Sequence, residues 1–286
     1  EKNGMTRGAD GKIQNTQASY AVPLSLNVIS EKTAQKAAEN LDRLIKEPQP
    51  GKEGEGGEIL PYTLTTGFAG TSNLVKALSK YGYADTANRL LQSKDYASWL
   101  YPVVLGATSI WERFDSYTEE TGFGNNHMNS FNHYALGAVF EWMMEYQLGI
   151  CADKKNPGYK KFVLQPSAGG TFSSVKGSFQ SPYGEIVSGW TAEDGKICTY
   201  EAVIPPNTSA VLYLPVEKAV DADSIKGAIF QEMTEWNGQK CAKIFLEAGS
   251  YQFKINGNRI KTEYLKTFSF LPAAYEREEN ISARWF

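Results

Sequence analysis

Apolar positions recur every three or four residues through the first half of the chain and every second residue through the second half. From about residue 14 to residue 149 the rhythm is helical. Over residues 30–46 Ala34, Ala37, Ala38, Leu41, Leu44 and Ile45 share one face, and Ser30 is placed to cap the free amides of the first turn. A second helix is predicted over 72–81, ending at Gly82, where a left-handed residue costs little. Asp85 is then expected to cap a third through Leu90 and Leu91, so that neighbouring helices pair antiparallel. The widest stripe, which includes Phe131, Tyr134, Val139, Trp142 and Tyr146, predicts a long, deeply packed helix over 129–148, stopped by Gly149.

Beyond Pro157 the runs shorten and alternate: KKFVLQP, SSVKGSFQSPYGEIVSGW, KICTYEAVIPP, SAVLYLP and AKIFLEAGSYQFKI. Turn residues at Pro182-Tyr-Gly184, Glu193-Asp-Gly195, Pro205-Pro-Asn207 and Trp236-Asn-Gly238 fall at the spacing of an antiparallel β-sandwich. The fold class read from the pattern is therefore α+β and multidomain. The helical part takes residues 1–152 and the sandwich 153–286, with a linker near 151–159. The Gly-rich stretch 52–58 reads as a loop between helices, and 260–286 as a surface-packed segment or a tail.

Charge and cysteine usage remove several functions from this picture. A net charge of −3 provides no basic field for nucleic acid or anionic lipid. No run of about 18 apolar residues suggests a membrane span. Cys151, Cys198 and Cys241 are widely spaced and odd in number, which argues for small buried hydrophobes over a disulfide framework. With two histidines in the chain, no metal site and no cofactor is expected.

Candidate chemistry concentrates in 99–133. SWLYPVVLGATSIWERFDS is followed by the loop TGFGNNHMNS and by FNHYA. Aromatic faces, amides and carboxylates together are what a sugar site requires. Glu112 stands between Trp111, whose ring would desolvate it, and Arg113, which would stabilise its charge, so a catalytic carboxylate and a structural ion pair both fit. His133 fits a ligand contact or a satisfied core position equally. His127 reads as solvent-exposed, and Trp99 and Tyr101 as stacking platforms or core.

These residues also carry a resemblance. TTGFAGTSNLVKALSKYGYADTANRLL, SWLYPVVLGATSIWERFDS and HMNSFNHYALGAVFEWMME, in that order, resemble signatures of glycoside hydrolase family 78, the bacterial α-L-rhamnosidases. QNTQASYAVPLSL upstream, and PGYKKFVLQP with SPYGEIVSGW downstream, extend the resemblance over about residues 10–215. It implies the end of an (α/α)6 helical toroid followed by a β-sandwich. The implied activity is removal of terminal α-L-rhamnose from a glycoside with inversion. Glu112, the Glu of W-E-R, becomes the general base, and His133, of F-N-H-Y-A, a substrate contact. Trp99, Tyr101 and Trp111 become wall residues.

Two departures accompany the resemblance. The family's acidic motif ending in W-x-G-D, which bears the general acid, has no counterpart here, and Phe114 replaces a usual Trp. Roughly 140 helical residues are under half of what twelve helices need at about 25–30 residues each. The chain is thus expected to be a fragment whose partner is the N-terminal remainder of the barrel, and to be inactive alone. A non-catalytic carbohydrate-binding protein, or another (α/α)6 glycosidase or lyase, remains as an alternative.

Overall fold

The computed structural model describes residues 3–51, 58–123, 129–257 and 259–265. The first half is built from α1 (Gln17–Ser25), α2 (Glu31–Lys46), α3 (Phe68–Lys80), α4 (Ala84–Gln92) and the short α5 (Leu100–Val104). A capping box opens α1: the Thr16 hydroxyl accepts the Ser19 amide and the Ser19 hydroxyl accepts the Thr16 amide, each at 3.2 Å. In α2 the predicted stripe is the buried face, with Leu44 half-buried at its edge. Ser30 occupies the cap position, but its hydroxyl meets Thr33 Oγ1 at 2.9 Å instead of a helix amide.

Two helix starts differ from expectation. α3 begins at Phe68, ahead of the predicted residue 72, because in its first turn the apolar Phe68 and Ala69 are exposed and the buried positions are Gly70 and Thr71. Thr71, 1% exposed, donates its hydroxyl to the Gly67 carbonyl at 3.0 Å, so an apolar count does not see this turn. α4 is preceded by Tyr83 at its cap, and Asp85 lies inside the first turn. The Asp85 carboxylate accepts from Arg89 Nε at 2.8 Å and from the Gly170 amide at 2.9 Å. Burial alone would raise this carboxyl; those two bonds and the neighbouring positive charges outweigh it and hold it below its ordinary value.

The helix predicted over 129–148 is shorter and irregular. A 3-10 turn runs over Tyr134–Ala138, α6 covers only Val139–Trp142, and a π turn follows over Met143–Gln147. Residues 129–133 stay out of it because their backbone groups bond across to another loop. Leu136, Val139 and Trp142 reach the core, whereas Tyr134 is 85% exposed. Trp142 is buried and donates its indole N–H to Ser79 Oγ on α3 at 2.8 Å.

The second half is a two-sheet sandwich. Its strands are β1 (Ile150–Ala152), β2 (Lys161–Leu164), β3 (Ser174–Ser181), β4 (Gly184–Glu193), β5 (Lys196–Ile204), β6 (Ser209–Pro215), β7 (Ile229–Trp236), β8 (Gln239–Leu246), β9 (Gly249–Asn256) and β10 (Arg259–Leu265). One sheet has the order β10-β9-β5-β4-β3 and the other β7-β8-β6-β2-β1. Inward residues such as Ile186, Tyr200, Leu212, Ile244 and Phe253 fill the space between them. One pair, β2 with β6, is parallel, because the chain visits the other sheet between these strands. Cys151 and Ala152, expected in a linker, lie in β1, so the loop between domains is shorter. Of the expected terminal segment, residues through Leu265 complete β10 against β9, and the rest lies outside the described residues. So does most of the Gly-rich loop, at 52–57. Among the cysteines only Cys241 is buried; Cys151 and Cys198 are half-buried at strand positions near the sheet surface, and all three are free.

Helices and sandwich meet around the π turn. The Gln147 carbonyl accepts the Trp190 indole N–H at 2.7 Å, and the Gln147 side chain donates to Asn88 Oδ1 on α4 at 2.6 Å. Nearby, Asn237 and Gly238 have φ of 50° and 66°, the two left-handed positions of a tight hairpin between β7 and β8. Gly238 packs on the end of α3, where an added Cβ would sit 2.8 Å from Gly82 Cα. Gly195 occupies the equivalent place in the β4–β5 hairpin, with φ 72° and open space around it. Gly238→Ala should therefore destabilise the protein by about 1–3 kcal/mol, read as a lower thermal midpoint. Gly195→Ala, which carries the conformational cost alone, should lower it by less; equal losses would show that the domain contact at Gly238 is not tight.

Candidate active site

Two irregular segments, 106–116 and 129–133, are bonded to each other along their length. The Glu112 amide donates to the Ser130 carbonyl at 2.8 Å, and the Ser130 amide donates back to Glu112 Oε2, also at 2.8 Å. Farther along, the His133 amide donates to the Ile110 carbonyl at 2.7 Å, and Ser109 Oγ donates to the Phe131 carbonyl at 2.5 Å. At the other end Ser116, 1% exposed, donates to Asn129 Oδ1 at 2.6 Å, while Asn129 Nδ2 donates to the Ser116 carbonyl at 3.1 Å. Neither segment has a helix or strand to supply these partners, so each satisfies the other.

The arrangement places Glu112 on one segment and His133 at the end of the other. Glu112 is half-buried: one carboxylate oxygen is held by Ser130, and the side chain is neither fully in solvent nor sealed in the core. His133 is half-buried too, stacked on Phe68 with ring centroids 4.7 Å apart and parallel to the Tyr134 ring at 5.8 Å. Its Nδ1 accepts the Ala135 amide at 3.3 Å, which leaves Nε2 as the nitrogen carrying the proton. Phe68 opens α3, and its role as the support for His133 was not singled out from the sequence.

The aromatic candidates separate. Trp99 is 8% exposed and donates its indole N–H to the Leu136 carbonyl at 2.9 Å; Trp111 is 7% exposed and meets Phe131 edge-on at 5.3 Å. Both belong to the packing beneath the loops, with little face left for a sugar. Tyr101 instead lines a cleft of about 650 Å³ together with Arg113, Asp115, Glu119 and Asn129. Glu112 is not among its lining residues, although Arg113, which follows it in the chain, is. Half-exposed Tyr96 packs against Tyr101, and burial, then the Asp115 charge, pushes its phenol upward. The acidic cleft wall from Asp115 to Glu120 had no signal in the sequence beyond composition. His127 lies outside the described residues. Among the described residues no group of three His, Cys, Asp or Glu is placed to hold a metal, and no helix is long and apolar enough to cross a membrane.

Comparison with known proteins identifies the family of both halves of the chain. Residues 5–147 match the bacterial alpha-L-rhamnosidase 6 hairpin glycosidase domain, and residues 149–228 the bacterial alpha-L-rhamnosidase C-terminal domain. The chain belongs to the bacterial α-L-rhamnosidase family. An α-L-rhamnosidase of Streptomyces avermitilis is 33% identical over 86% of this chain, and one of Formosa agariphila 32% identical over 86%. The chain spans 22% and 26% of their lengths. The crystal structure of the Streptomyces avermitilis enzyme complexed with L-rhamnose superposes with a TM-score of 0.70 at 31% identity, covering 88% of this chain and 22% of that one. A native Aspergillus terreus α-L-rhamnosidase gives 0.63 at 29% identity, over 91% of this chain and 25% of that one.

Within this rhamnosidase-family chain the loop pair depends on Asn129 in a testable way. Asn129→Ala deletes both of its bonds to Ser116; the buried hydroxyl falls back on the Arg113 carbonyl at 2.9 Å, and the Ser116 carbonyl loses its side-chain donor. The expected cost is about 1–3 kcal/mol, measured by urea unfolding, and Asn129→Asp, which keeps the acceptor, should lose less.

Proposed function

We propose that this chain forms part of a glycoside hydrolase that removes terminal α-L-rhamnose by inversion, with Glu112 as general base. The observation that carries the reading is the Glu112 carboxylate, half-buried in the loop pair and pinned through one oxygen by the Ser130 amide, while its chain neighbour Arg113 lines an open cleft. Among the described residues its other oxygen accepts no hydrogen bond, and this oxygen would take the proton from water. His133, whose Nδ1 is spent on the Ala135 amide, would donate through Nε2–H to a sugar hydroxyl, and Tyr101 would contribute a wall. Trp99 and Trp111 act beneath the site, holding the loops.

Inversion requires a second, protonated carboxyl about 6.5–9.5 Å from the base, leaving room for the attacking water. We assign that acid to the remainder of the barrel, outside residues 1–286. Support comes from the apolar side chains left exposed on the helical half, Val104, Phe123, Tyr134 and Phe140, which further helices would cover. The chain's share of its relatives' length points the same way.

In the complete polypeptide, Glu112→Gln should reduce hydrolysis of an aryl rhamnoside by a factor of about 10³ or more with little change in KM. Asp115→Asn, which removes a charge from the neighbouring cleft, should stay within about tenfold of the parent. Near-normal turnover in Glu112→Gln would overturn the assignment. Residues 1–286 expressed alone should give no turnover, and measurable hydrolysis by them would place the acid within this chain.

A further inference from the structure

The outer face of the sheet β10-β9-β5-β4-β3 carries a groove that the proposed active site does not use. Three cross-strand rows, read from the register, define it. The middle row runs Lys176, Gly189, Glu201, Gln252, Glu263. The next begins with Ser174, Thr191 and Thr199 and ends with Lys254 and Lys261. On the other side Val187 and Val203 form a small apolar step.

A solvent-facing sheet is ordinarily covered by long side chains. Here the outward positions at the middle of β4, between the exposed Glu185 and Glu193, are the short Val187, Gly189 and Thr191, and a hollow of about 470 Å³ opens above them. A side chain at Gly189 would close it, since an added Cβ would stand 2.8 Å from Glu201 Oε1. The floor spans roughly 13 Å along the strand at 3.3 Å per residue, the scale of a short oligosaccharide.

The charges on its walls are arranged against their own stability. Lys254 and Lys261 face each other directly across the β9–β10 ladder, a like-charge pairing that disfavours the sheet. Lys261 is drawn toward Glu263 at 3.5 Å, and Lys176 pairs with Glu201 at 2.7 Å. Among the described residues Lys254 has no ion-pair partner. An anionic group seated between the two lysines would neutralise the repulsion. Thr191, Thr199 and Gln252 supply neutral donors and acceptors for hydroxyls, and the valine step supplies a surface for sugar C–H groups.

We infer that this groove binds a short oligosaccharide bearing carboxylate groups, with Lys254 and Lys261 holding a carboxylate. The site is independent of Glu112 and lies on the sandwich, so its test does not require turnover.

The chain would be titrated calorimetrically with a tetrasaccharide of galacturonate and with the corresponding neutral galactose tetrasaccharide. The acidic ligand should bind, weakening as salt rises from 50 to 500 mM, and the neutral one should bind at least about tenfold more weakly. Lys254→Glu and Lys261→Glu should each reduce acidic-ligand affinity by roughly fivefold or more without changing the thermal midpoint by more than a few degrees, whereas Lys155→Glu, on a distant loop, should not. Equal binding of both tetrasaccharides, no binding of either, or unchanged affinity in both lysine variants would each overturn the proposal. Binding that survives Lys254→Glu but is lost with Thr191→Arg, which fills the groove, would keep the groove but refute the lysine clamp.

Discussion

The candidate site depends on the exchange of hydrogen bonds between Glu112 and Ser130. In one direction it is an ordinary backbone bond, and in the other the Glu112 carboxylate takes the place a carbonyl would hold in a ladder. A side chain engaged in this way cannot swing freely, because leaving Ser130 strands a backbone amide in a partly buried place. The same exchange decides the shape of the following segment. Since the amides of Ser130 and His133 are spent on the opposite loop, the helix starts only at Tyr134, and His133 falls at its cap with its ring turned onto Phe68.

How much of this was legible follows from which groups the sequence exposes to a periodicity count. α2 was visible because its core face, Asp42 apart, is aliphatic and alanine. The sandwich was visible because Asn237-Gly238 and Asp194-Gly195 mark hairpins by their need for positive φ. The first turn of α3 was not, since Thr71 is buried there through hydrogen bonds and not through apolarity. The long helix over 129–148 was overdrawn for the converse reason: Phe131 and Tyr134 are in phase with a core stripe, yet Phe131 packs on Trp111 above the core and Tyr134 faces solvent. Phase cannot tell a core from an aromatic cluster on a loop.

At the site, Glu112 and His133 could be named from the sequence, but their roles there rested on family resemblance, and their geometry did not follow from residue type. Trp99 fits a sugar platform or core by residue type, and Trp111 a wall residue by resemblance; what fixes their place is the Leu136 carbonyl that receives the Trp99 indole and the Phe131 edge that meets Trp111. Asn129 and Ser116, polar residues in a loop, gave no hint of the reciprocal bonds that align the two segments.

The sandwich then acquires a mechanical part. The segment that begins at His133 ends at the π turn, where its carbonyl at Gln147 is gripped by Trp190 and its side chain by Asn88. A π turn widens the helix by one residue per bond, which lets the Leu148 amide reach back to Met143 and turns the Gln147 carbonyl outward to the sheet. The segment is thus anchored at both ends, by Ile110 at its start and by β4 at its finish, with Trp142 bonded to Ser79 between them. A displacement of the sandwich against α4 would have to break the Gln147 pair or drag the segment toward the core. Because a close-packed interior resists such sliding, the sheet domain acts as a buttress for the histidine end of the site, while Glu112 is held from the loop side.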